Sequence, residues 1–258
     1  MTTETPCLSC RGLVLSVAGR TLVSDLDLDV HAGECWVVVG PNGAGKTTLV
    51  SALAGLRPVQ AGAIAYDGTP LAALGPRERA RRRGFLPQDT VDHFPATVLE
   101  TALVGRHPHL SRWQWESAAD VDRARAALST FGLAGLDGRD ARTLSGGERR
   151  RLALAALVAQ DAGLLLLDEP SSHLDLGAQV AALDTVAALA RNHGKAIVMV
   201  LHDLHLALRY ADHAIAIGGP RTRTGTAGDI LTTAMLSELF GHRLLAVGDG
   251  AARTFLPV

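Results

Sequence analysis

Apolar and polar positions along the chain follow two rhythms. Leu13 to Val17 and Leu22 to Val30 alternate or run apolar on either side of Gly19-Arg20, which predicts a short antiparallel strand pair. Cys35 to Val39, Leu164 to Leu167 and Ala196 to Leu201 are instead continuous apolar runs, the pattern of strands buried on both faces. Segments of helical character separate these runs: Thr47 to Ala54, Pro76 to Arg83, Ala118 to Phe131, Glu148 to Ala159 and Ala178 to Asn192. Shorter strands are predicted at Ile64 to Tyr66, Ala214 to Ile217 and Arg221 to Thr226, an extended piece at Phe85 to Gln88, and a closing helix from Asp229 to Phe240. Buried strands alternating with helices imply an α/β fold with a mostly parallel sheet covered on both faces.

Composition narrows the classes. Hydrophobic residues make up 47% of 258 residues, enough for a sizeable core, while aromatics are only 4%. The formal net charge of −1 argues against nucleic acid as the main partner. No apolar run approaches the roughly 18 residues that a membrane span needs. The segment Met1 to Cys10 lacks the layout of a secretion signal, so a cytosolic chain is expected, with any membrane role through a partner. Cys7 and Cys10 have CxxC spacing without a second pair and read as incidental thiols on a frayed N-terminus, whereas Cys35 reads as core. Only Lys46 and Lys195 are lysines among 25 basic side chains, so a lysine at position 46 calls for a specific reason.

That reason lies in the loop after the first buried strand. Gly40-Pro41-Asn42-Gly43-Ala44-Gly45-Lys46-Thr47 fits GxxxxGK[ST] and stands between a strand and a helix. Glycines let backbone N–H groups turn inward around phosphate oxygens, and the helix N-terminus adds a favourable dipole. Lys46 is a compact charge for the β- and γ-phosphates, and the Thr47 hydroxyl is a ligand for Mg²⁺. Asp168-Glu169 closes the run Leu164 to Leu167, at the strand end where ligand groups sit in such sheets. Asp168 suits Mg²⁺, and Glu169 suits a water that attacks phosphorus. Leu144-Ser145-Gly146-Gly147-Glu148 opens a helix and is a second anion site, which one chain with one phosphate loop does not need unless two molecules share nucleotides.

With these motifs in order, the sequence resembles the ATP-binding-cassette family over nearly its whole length. Gln88, Asp168-Glu169-Pro170, Ser171 to Asp175 and His202 complete the resemblance. It implies a P-loop NTPase core with an N-terminal antiparallel β subdomain and an inserted helical subdomain. The expected division is residues 1–88 and 158–258 for the nucleotide-binding core and 89–157 for the helical part. The cofactors implied are ATP and Mg²⁺. ATP contacts fall on Gly40 to Thr47 and Thr48, and from a second subunit on Ser145, Gly146 and Gly147. By the same resemblance Gln88 touches Mg²⁺ and the water, His202 the γ-phosphate, and Asp175 couples the two sites of a homodimer.

The family usually stacks adenine on an aromatic near the end of the first strand, here about Val17, yet no Phe, Trp or Tyr precedes Trp36. Weakened base recognition, or apolar packing by Val17, is therefore expected. Asp92 to Val98 with Gly105 to His109, Ser172 to Asp175 and Leu201 to Leu204 look like importers of iron–siderophores, haem and vitamin B12. This resemblance implies separate integral membrane permease subunits, docked around Phe94 to His109, and indirectly an extracytoplasmic solute-binding protein. Trp113 and Trp115 read as local packing, and Arg77 to Arg83 as a solvated helix face. Two other readings stay open: a soluble ATPase of the family that moves no solute, and an exporter cassette.

Overall fold

The computed structural model describes residues 5–89, 95–111, 113–218, 221–248 and 253–258. The chain opens with strands β1 (Leu8–Val17), β2 (Arg20–Val30) and β3 (Cys35–Val39), then helix α1 (Lys46–Leu53), strands β4 (Ala61–Tyr66) and β5 (Thr69–Pro70), helix α2 (Pro76–Arg82) and strand β6 (Arg83–Leu86). Helices α3 (Val98–Leu103), α4 (Ala118–Thr130) and α5 (Gly146–Ala159) follow. Next come strand β7 (Leu164–Asp168), helix α6 (Leu176–His193), strand β8 (Ala196–Val200), helix α7 (Leu204–Tyr210) and strands β9 (His213–Ala216) and β10 (Arg223–Thr226). Helices α8 (Ala227–Ile230) and α9 (Thr233–Phe240) and strands β11 (Leu244–Val247) and β12 (Thr254–Pro257) end it.

The central sheet has the order β10-β9-β3-β8-β7-β6, parallel except for β10. Alternate residues of its strands feed two cores. Val37, Val39, Leu165 and Leu167 join Leu152 and Ala155 of α5 and Leu183 and Val186 of α6. Trp36, Val38, Leu164 and Leu166 join Leu49 and Leu53 of α1 and Leu13 and Leu15 of β1. Both faces of the sheet are thus covered, which explains why its strands read as unbroken apolar runs. An antiparallel sheet of order β2-β1-β4-β5 forms the second layer on the α1 side. One edge of the central sheet collects the chemistry. Gly40 follows β3, Asp168 ends β7, and Gln88 and His202 lie two residues beyond β6 and β8. No helix among the described residues is long and apolar enough to cross a membrane.

Several expectations are corrected. β1 starts at Leu8 and pairs with both β2 and β4, so Cys10 is 1% exposed in a central strand, not part of a frayed end. Burial pushes its thiol up to about 12. The closing helix is two helices, because the Thr226 and Thr232 hydroxyls each cap a new N-terminus. The hairpin of β11 and β12 was not anticipated. The arginines around α2 are less a solvated face than a set of clasps: Arg77 and Arg81 both donate to the Pro108 carbonyl, Arg82 to that of Tyr66 and Arg83 to that of Ala54. Trp113 and Trp115 are each 87% exposed and belong to neither core; they line a surface cleft with Val104, Pro108 and Leu110 instead. Of the importer-like pattern, Asp92, His93 and Phe94 lie outside the described residues.

Candidate functional site

The loop from Gly40 to Gly45 folds around an open space because its glycines allow it. A side chain at Gly40 would meet the Ile217 carbonyl oxygen at 2.1 Å, and Gly45, at φ +102°, lies against Leu22. Lys46, at the start of α1, is 6% exposed. Its Nζ donates to the carbonyls of Gly40 (2.8 Å) and Pro41 (3.0 Å), across the mouth of the loop. Burial pulls the ammonium down from its ordinary value, while Glu169 and Asp168 oppose that shift.

The loop forms one side of a cleft of about 780 Å³. Asn42, Gly43, Gly45, Lys46, Thr47 and Thr48 meet Gln88, Glu169 and His202 there. Four segments separated in sequence therefore converge on one space. Gly40, Pro41 and Ala44 shape the loop from behind, with Ala44 accepted into the core and its N–H donating to the Pro41 carbonyl. Val17, Arg20 and Leu22, around the β1–β2 turn, line the same cleft. Val17 is where an apolar contact was expected. Arg20 was missed, and its only signal was a place next to Gly19 in the turn.

Glu169 Oε1 and His202 Nε2 are 2.5 Å apart across this cleft. Glu169 holds φ at +51°, a left-handed conformation costly for a side-chain-bearing residue and typical of functional positions. Next to it, Asp168 is fully buried, and among the described residues the nearby Thr47 hydroxyl favours its carboxylate, short of a full hydrogen bond. Burial raises its carboxyl above the ordinary value. A buried carboxylate beside a phosphate loop is the donor type that a hard divalent cation takes, and the Thr47 hydroxyl and Gln88 amide line the adjoining cleft as candidate oxygen ligands.

Ser145, Gly146, Gly147 and Asp175 do not join this cleft. Ser145 caps α5: its hydroxyl accepts from the Glu148 N–H (3.2 Å), and its own N–H donates to Glu148 Oε2 (2.8 Å). Asp175 caps α6 by accepting from the Ala178 N–H at 2.9 Å. Ser145, Gly146, Asp175 and the neighbouring Leu176, 74% exposed, all face outward.

Fold and cleft together define a nucleoside-triphosphate-binding domain of the phosphate-loop type. The sequence profile of the ABC transporter family matches residues 23–172, and the chain belongs to that family. It is an ATPase of the ABC type. A hemin import ATP-binding protein of Myxococcus xanthus is 43% identical over 249 residues, covering 93% of this chain and 92% of that protein. A cobalamin import ATP-binding protein of Halobacterium salinarum is 38% identical over 247 residues, covering 95% of this chain and 61% of that protein. Among solved structures, a chain of a metal-chelate type ABC transporter in an inward-facing conformation superposes with a TM-score of 0.85 at 27% identity, covering 98% of this chain and 97% of that one.

Proposed function

We propose that the chain is the ATP-hydrolysing subunit of an importer for iron–siderophore, haem or vitamin B12. The names of its relatives support the importer reading. The observation that carries the mechanism is the cleft in which the phosphate loop faces Glu169 and His202, while Ser145 and Gly146 are exposed and do not line it. Gly40 to Thr48 cradle the triphosphate, with Lys46 leaving its loop carbonyls for the β- and γ-phosphate oxygens. Glu169 accepts a hydrogen bond from the attacking water and orients it towards phosphorus. His202 is released from Glu169 to donate to the γ-phosphate. Thr47, Gln88 and Asp168 would hold Mg²⁺, which supplies charge neutralisation for the phosphate oxygens when bound. Val17, Arg20 and Leu22 receive the base, with the planar Arg20 guanidinium as a stacking surface.

Residues 1–88 and 158–258 form the nucleotide-binding core, and 89–157 the helical part. Two chains face head to tail, so that each Ser145–Gly147 turn closes the other's γ-phosphate site and Asp175 couples the pair. This leaves the outward-facing anion site at α5 with a ligand. Permease subunits dock on the exposed residues of the helical part near Ala96 to His109, which leave out the buried Arg106, beside the exposed Trp113 and Trp115. The chain then works on the cytoplasmic face of the membrane, and an extracytoplasmic binding protein selects the solute. Mass spectrometry of what copurifies with a tagged chain in mild detergent tests this. Multispanning membrane proteins are the expected finding; ribosomal or DNA-repair proteins in their place overturn it.

A further inference from the structure

Two arginines are buried in the helical part, and they are bonded differently. Arg106 has a carboxylate partner, Asp120, at 2.9 Å, and also donates to the Ala159 carbonyl. Arg150, on α5 and 2% exposed, has no carboxylate partner among its hydrogen bonds. All five of its N–H groups can instead be assigned to backbone carbonyls. Nη2 donates to Asp168 and Glu169, both at 2.6 Å. Nη1 donates to Pro87 (2.8 Å) and Gln88 (3.2 Å), and Nε to Pro170 (3.2 Å). Burying a guanidinium without a directly bonded carboxylate is costly, and burial pushes this one down to about 10. It stays charged at neutral pH. A rigid, planar five-donor fork is the one side chain that can satisfy so many carbonyls at once.

Those carbonyls belong to the two segments that carry the groups around the γ-phosphate. One runs from β6 into Gln88; the other leaves β7 through Glu169 at its left-handed φ. Arg150 itself lies on the helix that begins with the outward-facing Ser145–Gly147 turn. Gln88, Gly146 and Arg150 border one small cavity.

We infer that Arg150 is a positioning residue for ATP hydrolysis: it ties α5 to the backbones of Gln88 and Glu169 and holds both side chains in register with the phosphate loop. This rests on the ATPase reading above. A partner nucleotide that engages Ser145–Gly147 then acts on the helix whose next turn grips the backbone that carries this chain's own catalytic carboxylate. Lysine cannot replace the fork, because three donors on one nitrogen cannot span two segments.

Hydrolysis by the unaltered full-length chain, measured first, tests the ATPase reading on its own. Arg150→Lys is then compared with Arg106→Lys, a buried arginine of the same region that touches neither segment. For Arg150→Lys, kcat is expected to fall about 10–10²-fold, the effect of misplacing a reacting group by roughly an ångström. KM for ATP and the Kd of a fluorescent ATP analogue should stay within about threefold, because the phosphate loop is untouched. Arg106→Lys should lower Tm yet keep kcat within about threefold. Arg150→Gln, which keeps two donors, serves in the same comparison if the lysine variant does not fold. Unchanged kcat in the Arg150 variant, or parallel losses of kcat and affinity in both variants, overturns the inference.

Discussion

Glu169 and His202 hold each other at 2.5 Å across a cleft that faces Lys46. Lys46 is likewise bonded to its own loop, through the Gly40 and Pro41 carbonyls. Lys46 and His202, the two donors that suit a triphosphate, are thus bonded within the chain, and each has a contact to exchange for a phosphate oxygen. The exchange favours Lys46, since a phosphate oxygen gives it a charge-assisted acceptor in place of neutral carbonyls.

Lys46→Ala should lower hydrolysis by about 10²–10³-fold, the usual effect of removing one charge-stabilising donor. It should also weaken nucleotide binding. Phosphate release by the purified variant checks the first, and titration with a fluorescent ATP analogue the second. Activity near that of the unaltered chain would contradict the assignment of the loop.

Asp168→Asn should stabilise the nucleotide-free chain. The Asp168 carboxyl is raised by burial, which the nearby Thr47 hydroxyl only partly offsets. The folded chain therefore binds this proton more tightly than the unfolded chain, and stability falls as pH rises from the ordinary carboxylate range through the raised value. The amide removes the buried charge but still buries polar atoms, so the net gain is about 1 kcal/mol at neutral pH, for a Tm rise of a few degrees. The same variant should lose the extra Tm gain that Mg²⁺ gives over ATP with a chelator. Thermal melts with and without Mg²⁺–ATP measure both effects; a lower Tm without nucleotide counts against the cost of the buried charge.

Nucleotide selectivity should be loose. The wall formed by Val17, Arg20 and Leu22 has no aromatic, and its one polar side chain, Arg20, carries donors that suit guanine at least as well as adenine. GTP should support hydrolysis within about tenfold of ATP, a difference of roughly 1.4 kcal/mol. Arg20→Ala should weaken both nucleotides alike, and Val17→Tyr should tighten ATP. Parallel kcat/KM measurements with the two nucleotides decide it.

Cysteines placed at Ala96 and at Trp115 should crosslink to a membrane subunit in isolated membranes. Trp115 is 87% exposed, an unusual state for a large aromatic that has no partner surface. Absence of crosslinks at both positions, with ATPase activity intact, would move the docking surface elsewhere.

The central strands and the phosphate loop were legible in the sequence because their signals are local. Unbroken apolar runs mark the buried strands, and spaced glycines mark the loop. What escaped depends on long-range packing. Arg150 stands between Arg149 and Arg151, and nothing in that run says which one is buried. Cys10 looked terminal because the partners of β1, at β2 and β4, lie further along the chain. The break between α8 and α9 rests on one hydroxyl, that of Thr232, and threonine also occurs inside helices. Trp113 and Trp115 carried an apolar signal whose usual meaning is burial, and here they are exposed.

The shared nucleotide site is tested most directly by Glu169→Gln on the full-length chain, by size-exclusion chromatography with light scattering. The amide keeps the shape of Glu169 but removes the base, so hydrolysis should slow by about 10²–10⁴-fold while the phosphate contacts remain. The variant should elute with twice the monomer mass of 27.0 kDa in Mg²⁺–ATP, and as a monomer in ADP. Adding Ser145→Arg, which puts bulk and charge where the partner's γ-phosphate fits, should return it to a monomer in ATP. A dimer that persists in ADP or survives Ser145→Arg would contradict a site built from two chains.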